Sequence, residues 1–342
     1  MTGLDRKITL PLGLWAEHFK ELAPSSRDYL IKERGAYPRG SDQPARLDFD
    51  RWRAIRDALS ARETWFAAQL REVEGLVVNA EGSIHHNLPR ALALAAMIDI
   101  AKEAGLPVAL MNATIQGMDR SLMRRVMPGI GLCQLREDHS LREVSPFLAS
   151  AFTSPDIAVF ALRAMSPPQR ARAAMEGRRC IVSHGVLANE KTVRETINVV
   201  RKCGFDPTYL SIGDGQETEM VSRLAPRMNL AVLHAGEIGL EDLMEEIAKS
   251  ALVISGRHHV NIFSMFCGVP IVPLPSNTWK IEATLQMADY PVSVVSSPKN
   301  LKAAIDSAYA ERIPLGEASE YGFSRLVEKS RELPERVTSW IS

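Results

Sequence analysis

The sequence predicts an α/β protein built of two Rossmann-like domains facing a cleft, and three observations predict it. From Glu74 onward, short apolar runs of strand length alternate with amphipathic stretches of helix length, the pattern of βαβ units around a parallel sheet. The chain has 342 residues, more than one ordinary core sustains and suited to two domains. A break at MSPPQRARAAMEGRR (165–179) separates two series of strand candidates.

In the first series the strand candidates are GLVVNA (75–80), PVALMNA (107–113), IGLCQLRE (130–137) and IAVFAL (157–162). Between the first two lies NLPRALALAAMIDIAKEAG, a helix pattern ending in a glycine suited to a C-cap. The second series reads CIVSHG (180–185), PTYLSIGDG (207–215), LAVLHAG (230–236), ALVISG (251–256), PIVPLP (270–275) and PVSVVS (291–296), with helical stretches such as EKTVRETINVVRKCG and LEDLMEEIAKS between. The expected domains are 1–165, with residues 1–70 an atypical extension, and 175–318. Residues 319–342 are expected as helices that can pack back on the first domain. The extension holds a Pro/Gly-rich piece, ERGAYPRGSDQPARLDFD, and then an amphipathic helix pattern.

Lysine plus arginine equal aspartate plus glutamate, 41 against 41, so no global field draws the chain to nucleic acid. Cys133, Cys180, Cys203 and Cys267 form no CxxC pair and are expected as free thiols of a reducing compartment. The N-terminus lacks a signal-peptide h-region and no stretch reaches membrane-spanning length. The expectation is a cytoplasmic protein with at most peripheral membrane contact.

In open α/β sheets ligands bind beyond the carboxyl ends of the strands, so polar residues there are the candidates. Glu81-Gly82-Ser83-Ile84-His85-His86-Asn87 follows the first strand, where a cap is the bland account of Asn87 and anion binding through Ser83 the functional one. Arg136-Glu137-Asp138-His139-Ser140 follows another strand, as a charge cluster or an anion site. Asp156 precedes IAVFAL and on its own reads as a turn former. Ser183-His184-Gly185 and Gly213-Asp214-Gly215-Gln216 end two later strands; neither completes a nucleotide-binding motif. The strongest local signal is Ser255-Gly256-Arg257-His258-His259, then Gly268-Val269-Pro270, then Asn277 and Lys280. Arginine offers a fixed fork to carboxylate or phosphate, and lysine adds a second cation. The eight histidines show no HExxH and no convincing third ligand, so no metal is expected.

Taken in order, Glu81-Gly82-Ser83, Arg136-Glu137-x-x-Ser140, Pro155-Asp156, Arg257-x-His259, Gly268-x-Pro270 and Lys280 resemble the polysaccharide pyruvyltransferase superfamily over roughly residues 74–290. The resemblance implies a glycosyltransferase-B-like fold. It implies transfer of a pyruvyl group from phosphoenolpyruvate to two hydroxyls of a sugar in a glycan or lipid-linked glycan, without a cofactor. His259 would be the general acid, and Arg257, His258, Lys280, His184, Ser83, Asn277 and Arg136 the donor or anion contacts. Two departures stand out: no N-x-G-D-type loop is found in residues 1–40, and Glu81 stands where many members carry glycine. Glu81 and Asp156 together suggest a related branch, the β-Kdo glycosyltransferases, in which Asp156 would be the nucleophile and Glu81 the acid/base group toward CMP-Kdo. A catalytically inactive glycan-binding module is a third reading, and a nucleotide-sugar epimerase a more distant one.

Overall fold

The computed structural model describes residues 47, 49–60, 65–185, 188–213 and 215–342. Residues 1–46, which include the search ground for the N-x-G-D loop, and Asp214 lie outside the described residues. Two compact units result: the chain up to Pro155 with Glu332–Ser342, and Asp156–Arg331.

The first unit runs α1 (Phe49–Ser60), α2 (Trp65–Leu70), β1 (Leu76–Asn79), β2 (Ile84–His85), α3 (Pro89–Glu103), β3 (Val108–Ala113), β4 (Ile115–Gln116), α4 (Arg120–Val126), β5 (Leu132–Leu135), α5 (Asp138–Val144) and β6 (Phe152–Thr153). Its sheet has the order β1-β3-β5-β6, with every pair parallel, and β2 pairs β4 beyond it. Helix α3 starts on Pro89, whose missing N–H costs nothing at the first helical position. It buries Ala91, Leu92, Ala96, Ile98 and Ala101, and Gly105 follows it in the left-handed region, as a C-cap glycine does. Helix α1 docks on α3 through Trp52, fully buried, whose indole N–H donates to the Leu92 carbonyl at 3.1 Å. Asp99, buried on α3, accepts from Arg56 at 2.6 Å and from Arg125 of α4 at 2.9 Å, so one carboxylate ties three helices.

The second unit runs α6 (Ile157–Leu162), α7 (Arg172–Glu176), β7 (Arg179–Ser183), α8 (Glu190–Lys202), β8 (Asp206–Ser211), α9 (Gly215–Met228), β9 (Ala231–His234), α10 (Leu240–Ala248), β10 (Leu252–Ser255), α11 (His258–Phe266), β11 (Ile271–Pro273), α12 (Lys280–Ala288), α13 (Pro298–Ala310) and α14 (Arg312–Lys329). The last helix, α15 (Leu333–Ile341), belongs to the first unit, where Arg336 lies over Phe152. The five-stranded sheet is wholly parallel, in the order β11-β10-β7-β8-β9. Strand order therefore reverses between β7 and β10, where successive connections leave to opposite sides and open a crevice. The central strands are near-continuous apolar runs because both faces are covered.

Two elements depart from the expected map. IAVFAL is a helix, not a strand. Asp156 caps it, its Oδ1 accepting the Ala158 N–H at 2.9 Å, and Val159 and Leu162 bury one helical face at i, i+3 spacing. Residues 291–296 form no strand: Val295 N–H reaches the Pro273 carbonyl at 2.8 Å, but no ladder develops from a segment that opens on proline. The units divide at Pro155/Asp156 rather than within 165–175, because α6 packs on α11 and α14.

Cys133, Cys180 and Cys267 are buried and Cys203 half-buried, all free. Burial pushes the Cys133 thiol up to about 12, and that of Cys267 likewise, which keeps both unreactive. Among the described residues no helix is long and apolar enough to cross a membrane.

Candidate active site

The crevice of the second unit is framed by backbone. Gly185 follows β7 and Gly256 follows β10. A Cβ on Gly256 would stand 2.7 Å from the Gly185 nitrogen and 3.0 Å from the Pro275 carbonyl oxygen, so only glycine lets the two strand ends approach this closely. Arg257 is the N-cap of α11, and His258 and His259 begin the helix.

Asp156 meets that helix start. Its side chain is 1% exposed, and Oδ2 lies 3.2 Å from His258 Nε2 and 3.4 Å from His259 Nε2. The other oxygen is taken by the Ala158 cap. The two rings differ in access: the His258 side chain is 5% exposed, that of His259 is 42%. His259 also stacks on Phe263 one turn along, at an interplanar angle of 21°. One buried carboxylate thus sits against an enclosed imidazole and an open one. An exposed imidazole oriented by a buried carboxylate can exchange a proton with a molecule bound beside it.

Arg257 is placed otherwise than as a lone anion-binding fork. Its side chain, 15% exposed, donates to Glu217 Oε2 at 2.8 Å and to the His184 carbonyl at 2.7 Å. Glu217 also accepts from the Tyr209 hydroxyl at 2.9 Å and from the Ile212 N–H at 3.2 Å. His184 itself is buried, and its Nε2 has no hydrogen-bond partner among the described residues. Burial first, and the Arg257 charge second, lower its pKa to about 4, so it is neutral near pH 7. Lys280 begins α12, half-buried, and donates to Asn277 Oδ1 at 2.9 Å. Asn261 Oδ1 and Thr278 Oγ1 are further buried atoms without partners in the described residues. Asp156, Arg257, His258, His259, His184, Asn277 and Lys280 thus all belong to the second unit, on or beside the C-terminal ends of its strands.

Glu81, Ser83 and Arg136 belong to the first unit. Glu81 is half-buried in the left-handed region at φ 47°, as are His86, Asn87 and Asn112 nearby. Non-glycine residues rarely adopt this conformation, and such strain gathers at functional turns. His85 and His86 are both buried and joined Nδ1 to Nδ1 at 3.0 Å, so one ring donates and the other accepts. Arg136 is buried and donates to the Thr114 hydroxyl through Nε at 3.1 Å and Nη2 at 2.9 Å. Glu137 caps α5 by accepting the Ser140 N–H at 2.8 Å and bonds its hydroxyl as well, while Ser140 Oγ accepts the Ile115 N–H at 2.7 Å. The Arg-Glu-x-x-Ser segment therefore locks β4 to the helix that follows β5.

Sequence reading missed Glu217 and Tyr209, which the Gly213–Gln216 loop only brackets, and it missed Asn261 and Thr278. The one available signal was Glu217 itself, an acid in the first turn of a helix that directly follows a strand end. Among the described residues no group of three or more His, Cys, Asp or Glu is disposed to hold a metal ion.

The polysaccharide pyruvyl transferase family model matches residues 33–278, well over half of the chain. The chain belongs to the polysaccharide pyruvyl transferase family. It is accordingly a transferase. The family's matched span contains every candidate site residue except Lys280, which lies two residues beyond it. No protein among the curated ones matches it by sequence. Solved structures do resemble it in fold. MnaA of S. aureus, solved with UDP, is 12% identical over 80% of this chain and 76% of its own, with a TM-score of 0.55. A UDP-N-acetylglucosamine 2-epimerase from Rickettsia bellii is 10% identical over 87% and 80%, TM-score 0.53. UGT89C1 of Arabidopsis thaliana, solved with quercetin, is 13% identical over 89% and 82%, TM-score 0.53. At such identities the likeness is one of fold, and it gives this family member the glycosyltransferase-B-like architecture.

Proposed function

We propose that the protein transfers the pyruvyl group of phosphoenolpyruvate to two hydroxyls of a sugar in a cell-surface glycan or its lipid-linked precursor, forming a ketal in the cytoplasm. The observation that carries this reading is the buried Asp156 carboxylate set against His258 and the accessible His259.

The reaction needs a proton delivered to the methylene carbon of the enol. That generates an electrophilic centre at the carbon bearing carboxylate and phosphate. One sugar hydroxyl attacks it, the C–O bond to phosphate breaks, and the second hydroxyl closes the ketal. Two hydroxyl protons are released, one balancing that given to the methylene carbon and one leaving on phosphate. His259 is the acid, with Asp156 supporting its charged form. Lys280 and Asn277 are suited to the phosphate, and His184 Nε2 offers a neutral hydrogen bond to the donor. These steps call for no cofactor, because imidazole and ammonium groups supply the proton and the counter-charge.

The alternative, Asp156 as nucleophile toward CMP-Kdo, asks for an open carboxylate. A side chain 1% exposed, capping a helix with one oxygen and facing two imidazoles with the other, favours a supporting role instead.

Melting of the protein with phosphoenolpyruvate, CMP, CMP-Kdo and UDP tests the donor. A ligand of the native state at 100 times its Kd stabilises by about 2.7 kcal/mol. Phosphoenolpyruvate should raise the Tm, and His259→Ala should keep that rise while releasing no phosphate in the presence of acceptor glycans. A rise with CMP-Kdo and none with phosphoenolpyruvate would overturn the proposal.

A further inference from the structure

Glu217 has no part in the chemistry above, yet it is among the most fully engaged carboxylates of the second unit. It stands in the first turn of α9 and is buried. Three groups converge on it. Arg257 gives it a charged hydrogen bond, and Tyr209, at the middle of β8, gives it the phenolic hydroxyl. The Ile212 N–H, just past the end of β8, completes the set. Arg257 in turn holds the His184 carbonyl through Nε. His184 is thus held at its carbonyl by a side chain that Glu217 itself holds.

The consequence concerns the imidazole of His184, whose buried Nε2 is without a partner among the described residues. A ring that must present one atom to a ligand needs its backbone fixed. We infer that Glu217 is a positioning residue for the donor site: held in place by Tyr209, it fixes His184 through Arg257 and supplies the counter-charge of Arg257. Its effect on turnover rests on the pyruvyl-transfer reading; its effect on His184 does not.

A second consequence follows for Arg257. With Glu217 beside it, the guanidinium adds little net positive charge to the crevice, so the donor's anionic groups fall to Lys280 and the imidazoles. Neutralising Glu217 leaves that charge uncompensated. Donor affinity should therefore be kept or raised while the rate falls, a division that a purely structural residue does not produce.

The test uses the full-length protein and three variants. In Glu217→Gln the kcat for phosphate release from phosphoenolpyruvate should fall about tenfold to a hundredfold, the size expected of a misplaced reactant, while KM for phosphoenolpyruvate does not rise. Tyr209→Phe, which keeps the ion pair, should show a smaller fall of the same kind. Glu219→Gln, an exposed neighbour paired with Arg223 among the described residues, should match the parent. Histidine side-chain NMR signals give the donor-independent readout: those of His184, assigned by its loss in His184→Asn, should move in Glu217→Gln and stay in place in Glu219→Gln. Unmoved signals and an unchanged kcat in Glu217→Gln would overturn the inference. Moved signals in a parent that never consumes phosphoenolpyruvate would uphold the positioning role and sink the pyruvyl reading alone. Should Glu217→Gln not fold, Tyr209→Phe carries the same comparison, and unmoved His184 signals there would overturn the inference.

Discussion

Replacing Asp156 separates two jobs that one side chain performs. Its Oδ1 caps α6 through the Ala158 N–H, and its Oδ2 faces His258 and His259. Asparagine is as good an N-cap as aspartate, so Asp156→Asn keeps the first job and loses the charge. Alanine loses both. The missing cap is worth about 1 kcal/mol, which in a unit of this size lowers the Tm by about 2–4 °C. The catalytic loss should be common to both variants. A carboxylate that orients and supports an acid/base histidine is worth roughly 10²–10⁴ in rate, so kcat for phosphate release should fall by that factor in Asp156→Asn at nearly unchanged Tm. Steady-state phosphate release and a circular-dichroism melt measure the two effects. An Asp156→Asn protein within about threefold of the parent kcat would refute the argument that this carboxylate serves His259. A covalent sugar adduct on Asp156, seen by mass spectrometry after mixing with CMP-Kdo, would refute it from the other side.

Three further outcomes are expected. His184 has a folded pKa of about 4 against an ordinary value near 6.5, so below pH 6.5 the unfolded chain takes up a proton that the native one refuses. Stability should fall as the pH drops from 6.5 toward 4, by on the order of 3 kcal/mol, and His184→Asn should flatten that part of a Tm-against-pH curve. Gly256→Ala drives a methyl group against the Gly185 nitrogen and should destabilise by about 1–3 kcal/mol, read as a lowered urea midpoint at constant slope. Ser140→Ala strands the buried Ile115 N–H and should cost about 1–3 kcal/mol in the same assay, with little change in KM for phosphoenolpyruvate.

The sheet was legible because buried parallel strands are written as apolar runs: β1, β3, β5 and β9 to β11 fall inside such runs, and β7 and β8 begin one residue before theirs. Composition failed where it cannot discriminate. IAVFAL suits either state over six residues, and the cap on Asp156 decided for helix, a signal available but outweighed by the apolar run. The two-residue strands β2, β4 and β6 are too short to leave any periodicity. At the site, polar strand ends marked Arg257, His258, His259 and His184 one by one. Their mutual arrangement was not legible, since Asp156 and His258 stand at distant places in the chain and only the folded unit sets them 3.2 Å apart. Glu217 escaped because an acid near a helix start is ordinarily read as a favourable end charge.

The meeting of Gly185, Gly256 and the Pro275 carbonyl has a bearing on how a site of this kind diversifies. Where β7 and β10 part, the ground is peptide and carries no side chain for mutation to redecorate. A lineage seeking a new donor cannot alter that ground without losing the approach of the two strands. Innovation is channelled to the rim, to partly exposed positions such as His259, Asn277 and Lys280, where residues change without disturbing the floor beneath them. Such a division between an invariant base and a variable margin would let one scaffold pass between activated donors in few steps.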